Sequence, residues 1–324
     1  MAQGVNIDGV LITWGDRLFY PGNRMVRPSP TPKLSAAGVR QCAATIRDRI
    51  AATVVRQAPQ VMVKVTGGGR GMGAITAHFR YISKNGRLEI EDDRGEALQG
   101  RHAVCDLAED WRFGGSLIPE DADAGSRREA LNIMLSMPRG TDALVVQRAA
   151  RAFAQAELAD HKYVMVLHDH QANPHVHISV RAEARDGKRL NPRKADLQRW
   201  RETFAQRLRE QGVDAEATRQ FARGRNRNYD ALWRRKAREE GRLRFEQPSA
   251  RTGVGAQASR AQAIEAWKRL GRALASSADP ADLRLASAVA RFVQEAFAAP
   301  GRVELQQGAG GLQVDRAWEK ERSR

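Results

Sequence analysis

The chain predicts an α+β fold: an antiparallel sheet with helices packed on it, then a basic helical region and a small helical C-terminal part. Three observations carry this. Residues 163–167 and 176–180 are β-branched and apolar runs around a turn-rich loop, which reads as an antiparallel hairpin. Further short strand-like runs lie at 61–66, 87–91 and 131–136. Between and after them are longer stretches with apolar residues at helical spacing.

In chain order, residues 1–33 carry Pro21, Pro28, Pro30 and Pro32 and read as a poorly structured leader. Ser35 caps a helix to about Gln57, with Val39, Ile46, Ile50 and Val54 on one stripe and Pro59 as its stop. After the 61–66 strand, the run Gly67 to Gly73 leaves two readings open: close backbone approach to a phosphate, or a mobile loop. It lacks the lysine and hydroxyl residue of a nucleotide-binding P-loop. A helix-like run spans 74–86. Residues 92–128 read as loop with a short helix near 107–113. A helix from Thr141 to about Asp160 is expected to bury Leu144, Val145, Phe153 and Leu158. Past the hairpin, a helix from Asn191 to about Gly212 aligns Leu197, Trp200, Phe204 and Leu208, and another spans 228–242. Residues 249–258 read as a linker before two helices near 259–276 and 280–299. The expected division is therefore a leader (1–33), one large domain (34–248) that includes a basic helical region (181–248), a linker, and a helical end (259–324).

Composition narrows the partner. The 324 residues carry a formal charge of +16. Residues 181–248 hold 20 Lys/Arg against 11 Asp/Glu, 20 − 11 = +9. Arg223, Arg225 and Arg227, with Phe221, Tyr229 and Trp233 interleaved, suit a nucleic-acid groove in which guanidinium groups meet phosphates and rings stack on bases. The bland reading is a solvated basic helix surface. There is no run of eighteen apolar residues and no basic-then-apolar N-terminus, so neither membrane insertion nor secretion is expected. Two cysteines, Cys42 and Cys105, fit a reducing cytoplasm.

The chemistry concentrates in the hairpin, where His168, His170, His175 and His177 fall within ten residues. Alternation along a strand puts His175 and His177 on one face, and His168 can lie across from His175. Three such imidazoles suit a divalent ion with open positions. The alternative, separately satisfied histidines, requires burying several polar rings without a shared partner. His170 is less constrained.

The segment His168-Asp-His-Gln-Ala-Asn-Pro-His-Val-His177, with the upstream run His78-Phe-Arg-Tyr81-Ile-Ser-Lys84, resembles the conjugative relaxases, plasmid mobilisation nucleases of the HUH endonuclease superfamily in their single-tyrosine class. The resemblance extends over roughly residues 60–240. It implies an antiparallel HUH core and a divalent metal, Mg²⁺ or Mn²⁺, on His168, His175 and His177. It further implies attack by the Tyr81 hydroxyl on single-stranded DNA at an origin of transfer, giving a 5′-phosphotyrosine and a free 3′-hydroxyl. Supporting roles fall to His78, Asp169, His170 and Asn173, and DNA contacts to Arg80, Lys84, Arg223, Arg225, Arg227 and Tyr229. Accessory proteins of the relaxosome and a type IV secretion coupling protein are the implied partners, with passage into the recipient on the DNA. One departure stands: His170 occupies the place of the motif's aspartate, with Asp169 one position earlier. Alternatives from the same residues are a rolling-circle replication initiator, a non-catalytic DNA-binding protein with a structural metal, and a metal hydrolase using water. Covalent capture of DNA on a tyrosine separates the first from the other two.

Overall fold

A computed structural model of the chain describes residues 6–20, 34–123, 125–224, 237–245 and 253–298. The chain divides into two compact units, one formed by residues 59–217 and the other by the described parts of 1–58 and 218–306.

The first unit is a six-stranded sheet in the order β1-β4-β6-β5-β2-β3, antiparallel at every pairing. Its strands are β1 (Met62–Gly67), β2 (Ile90–Asp92), β3 (Ala97–Leu98), β4 (Ala130–Ser136), β5 (His161–His168) and β6 (His175–Ala184). Helices α3 (Met72–Ile82), α4 (Arg101–Phe113), α5 (Ala143–Glu157) and α6 (Lys194–Glu210) cover it. On one face Val63, Ile133, Leu135, Val176 and Ile178 pack against Phe153 of α5 and Trp200, Phe204 and Leu208 of α6. On the other, Val164 and Val166 pack against Ile75, Phe79 and Ile82 of α3 and Leu107 and Trp111 of α4. The period-2 alternation of the strands sorts these residues between two apolar layers, and the expected α+β class with an antiparallel sheet is borne out.

Several expectations need correction. Helix α4 is a full thirteen residues, where a short helix was expected, because Val104, Leu107, Ala108 and Trp111 make a continuous buried stripe. Strand β2 begins only at Ile90. Leu144 is 57% exposed: it sits in the first turn of α5, beyond the reach of the sheet, although Phe153 and Leu158 are fully buried. Helix α3 ends at Ile82 because Lys84, Asn85 and Gly86 all take positive φ, a left-handed exit closed by Gly86 N donating to Ser83 Oγ at 3.0 Å.

The glycine run is not an unconstrained loop. A Cβ at Gly68 would lie 2.2 Å from the Ala130 carbonyl oxygen, so glycine lets this segment press onto β4. The N-terminus of α3 is already served from within the chain, with Ala74 N donating to Asp121 Oδ1 at 3.2 Å and Met72 N to the Pro119 carbonyl at 3.0 Å.

The second unit is helical. Residues 7–19, expected within an unstructured leader, form α1 (Ile7–Phe19), capped by Asn6. The flanking prolines masked an amphipathic run in which Leu11, Leu18 and Phe19 are buried. Helix α2 (Ala36–Val54) is capped by Ser35 as expected. Its apolar stripe, Ala43, Ile46 and Ile50, packs with α1 and with α7 (Val254–Ala275) and α8 (Pro280–Ala296) instead of with the sheet. The expected linker at 249–258 therefore already contains the start of α7, and the single 34–248 domain is split at 58/59 and 217/218. Burial of Trp267, whose Nε1 donates to the Ala222 carbonyl at 2.6 Å, accounts for this grouping. Arg47 ties the bundle together by bonding Asp8 and Asp282, each at 2.9 Å. Most of the helix expected at 228–242, including Tyr229, lies outside the described residues, as do Arg225 and Arg227.

Candidate metal centre and its tyrosine

Strands β5 and β6 pair with His168 opposite His175 and Val166 opposite His177. This register sets three imidazoles on the sheet face that α3 partly roofs, with ring centroids 4.7–5.0 Å apart. One nitrogen from each ring can serve as a ligand, and these nitrogens lie within 4.8 Å of one another.

Two of the rings are held by backbone carbonyls. His168 Nε2 donates to the Ile82 carbonyl at 2.7 Å, and His175 Nδ1 donates to the Asn173 carbonyl at 2.9 Å. A carbonyl only accepts, so each bond fixes a tautomer and leaves the opposite nitrogen with a free lone pair. The Nδ1 of His177 is buried with no hydrogen-bond partner among the described residues. Burial pushes His168 down to about 4 and His177 down to about 3, with the neighbouring histidines adding to both, and it lowers His175 in the same direction. All three are therefore neutral near pH 7, the form that binds a metal. Paired tautomers, free lone pairs and neutrality together fit a divalent ion.

Asn173 acts at two points, its carbonyl on His175 and its Oδ1 accepting from Arg139 N at 3.0 Å, which pins the hairpin loop to the β4–α5 connection. His170 is exposed in the loop, its ring 5.1 Å from that of His168, and Asp169 beside it is exposed as well. Neither belongs to the three-nitrogen cluster.

Helix α3 brings Tyr81 to this centre. The ring is 60% exposed and its centroid lies 6.1 Å from that of His177. His78, one turn earlier, lies 6.0 Å from Tyr81 and 6.3 Å from His177, with its Nε2 buried and unpartnered among the described residues. Burial lowers His78 to about 4. Arg80 and Lys84 are exposed on the same turn and the exit that follows it. Because Ile82 immediately follows Tyr81, the bond from His168 to the Ile82 carbonyl couples the tyrosine helix to the histidine cluster. No sequence pattern marked that carbonyl, since a main-chain acceptor 86 positions away has no residue-type signature. Of the other tyrosines, Tyr163 is buried among β5, α5 and α6 on the opposite face, and burial raises it to about 12. Tyr20 ends α1 in the helical unit, which also holds Arg223.

Residues 91–213 match the nuclease domain of the MobA/VirD2-like relaxases. The relaxase match contains all three clustered histidines, whereas His78 and Tyr81 precede its first residue. Among solved structures, the conjugative relaxase TrwC in metal-bound complex with oriT DNA is similar at 13% identity, covering 64% of this chain and 98% of that one, with a TM-score of 0.34. No curated protein matches the chain. Among the described residues, no helix is long and apolar enough to cross a membrane.

Proposed function

We propose that the sheet unit is a single-strand DNA transesterase that nicks at an origin of transfer through Tyr81 and rejoins the strand after transfer. The observation that carries this is the Tyr81 ring, exposed and 6.1 Å from His177 at a three-imidazole cluster, in a chain whose residues 91–213 match a relaxase nuclease domain. His168, His175 and His177 would hold a divalent ion, which would supply Lewis-acid neutralisation of phosphate charge. All three donors are nitrogens, which favours Mn²⁺ or a later first-row ion over Mg²⁺, a cation that prefers oxygen ligands.

Tyr81 contributes the nucleophilic oxygen, and its exposure leaves room for a phosphodiester to reach it. His78 stands beside the ring, 6.0 Å between centroids, and Arg80 and Lys84 offer cations to adjacent phosphates. The carbonyls of Ile82 and Asn173 keep the imidazoles in the binding tautomer. In the cell this activity would initiate plasmid mobilisation, with relaxosome proteins and a coupling protein as partners and the cytoplasm as its place. Arg223, Arg225, Arg227 and Tyr229 remain candidates for further DNA contacts, with affinity falling as salt rises.

The test is incubation with labelled origin-of-transfer oligonucleotides and Mn²⁺, followed by mass spectrometry of the trapped adduct. A phosphotyrosyl peptide containing Tyr81 supports the assignment. Modification of Tyr163 or Tyr20 would move the nucleophile. Cleavage with no adduct would indicate a hydrolase using water.

A further inference from the structure

Half of the histidine-bearing sheet face is not roofed by α3. Cross-strand pairing places His177, Met134 and Lys64 in one row and His175, Ser136 and Met62 in the next. A third row holds Ser179, whose Oγ donates to Asn132 Oδ1 at 3.2 Å, and the Asn132 carbonyl accepts from Thr66 Oγ1 at 3.2 Å. The alternate residues of these strands are in the core on the opposite face. Its β1 side is open to solvent: Met62 is 43% exposed, Lys64 and Thr66 are exposed, and Met134 and Asn132 are half-buried, whereas Ser136 and Ser179 are buried. Among the described residues no ion pair engages the Lys64 ammonium.

An unpaired cation on an edge strand, reached from the metal centre across a methionine, complements a polyanion with flat apolar rings. Lys64 lies two strands from His177, about 10 Å between Cα atoms. Its direction from the centre is informative. Tyr81 comes from α3, which lies over Val164 and Val166 of β5, whereas Lys64 lies on the other side of His177, across β4. In phosphoryl transfer the attacking and leaving oxygens are roughly in line through phosphorus.

Resting on the transesterase reading above, we propose that the strand bearing the leaving 3′-oxygen runs over Met134 to Lys64, whose ammonium holds a phosphate of that strand while Met62 and Met134 support its sugars or bases. In the forward step the Tyr81 Oη–P bond forms and the P–O3′ bond breaks. The electron pair goes to O3′, which takes up a proton, and the phenol proton leaves to solvent. Rejoining is the reverse and requires O3′ to stay in place while the adduct exists. Lys64 thus retains the released strand for rejoining. The thioethers offer a polarizable, sequence-tolerant surface for that strand.

Full-length Lys64→Ala and Lys64→Arg proteins test this with an oligonucleotide spanning the nick mapped for the unaltered protein. Lys64 is exposed, so neither change threatens the fold. For Lys64→Ala we expect affinity for the 5′-side oligonucleotide ending at the nick in a 3′-hydroxyl to fall about tenfold, and its salt slope to lose about 0.7. The plateau fraction of adduct at saturating DNA should rise, because the released strand leaves before it can rejoin. Lys64→Arg should restore all of these. Unchanged affinity and plateau in Lys64→Ala, or weakening confined to the strand on the 3′ side of the nick, would overturn the assignment while leaving the transesterase intact. Failure of the unaltered protein to form any tyrosyl adduct would overturn both.

Discussion

Two tyrosines separate the roles of nucleophile and core residue. Tyr81 is 60% exposed, so Tyr81→Phe removes one solvent-facing oxygen and should change stability by less than about 0.5 kcal/mol. For a chain of this size that corresponds to a melting shift under about 2 °C. The same change removes the proposed attacking atom, so covalent DNA adduct should fall to background. Tyr163 is 4% exposed in the layer between the sheet and α5 and α6. Tyr163→Ala empties an aromatic site in that core and should cost about 3–5 kcal/mol. That lowers the melting temperature by about 6–20 °C, yet the remaining folded protein should still form adduct when assayed below its own transition. Circular dichroism melts and denaturing gels of labelled oligonucleotide measure the two quantities on the same preparations. Adduct in Tyr81→Phe, or loss of adduct in folded Tyr163→Ala at an unchanged melting temperature, would refute the reasoning.

Three further outcomes follow from the centre and its supports. Mn²⁺ at about a hundredfold above its dissociation constant should raise stability by about 2.7 kcal/mol, and His175→Ala should abolish the melting shift in calorimetry while His170→Ala should not. In chelator, stability should fall as pH drops. His78, His168 and His177 sit near 4, 4 and 3, below the ordinary 6.5, so the unfolded chain takes up protons first. The loss begins near pH 6.5 and levels off below about 3–4, as urea midpoints across that range would register. Asp121→Ala should remove the carboxylate at the N-terminus of α3 and cost about 0.5–2 kcal/mol, read as a lower midpoint with weaker adduct formation because α3 carries Tyr81.

The hairpin and its histidine cluster were legible because strand alternation and a turn-rich loop leave few choices for H-x6-H-x-H. His168 meets His175 as the spacing demands. Helices α2 and α6 were legible from Ser35 and from the Trp200–Phe204–Leu208 stripe, because capping and period 3.6 are local properties. Helix α1 was hidden by the prolines that follow it, and Leu144 was misplaced because periodicity cannot say where a helix overruns its sheet.

Long-range pairing decided the rest. No local signal sends α2 to Trp267 instead of to the sheet, joins Asp121 to the start of α3, or brings the Ile82 carbonyl to His168. Lys64 and Met134 gain their place beside His177 only through strand order, since β1 and β6 are far apart in sequence and β4 lies between them in space. Local chemistry is written in residue types and spacing, whereas the neighbours that complete the centre depend on sheet register and on main-chain acceptors, which every residue carries alike.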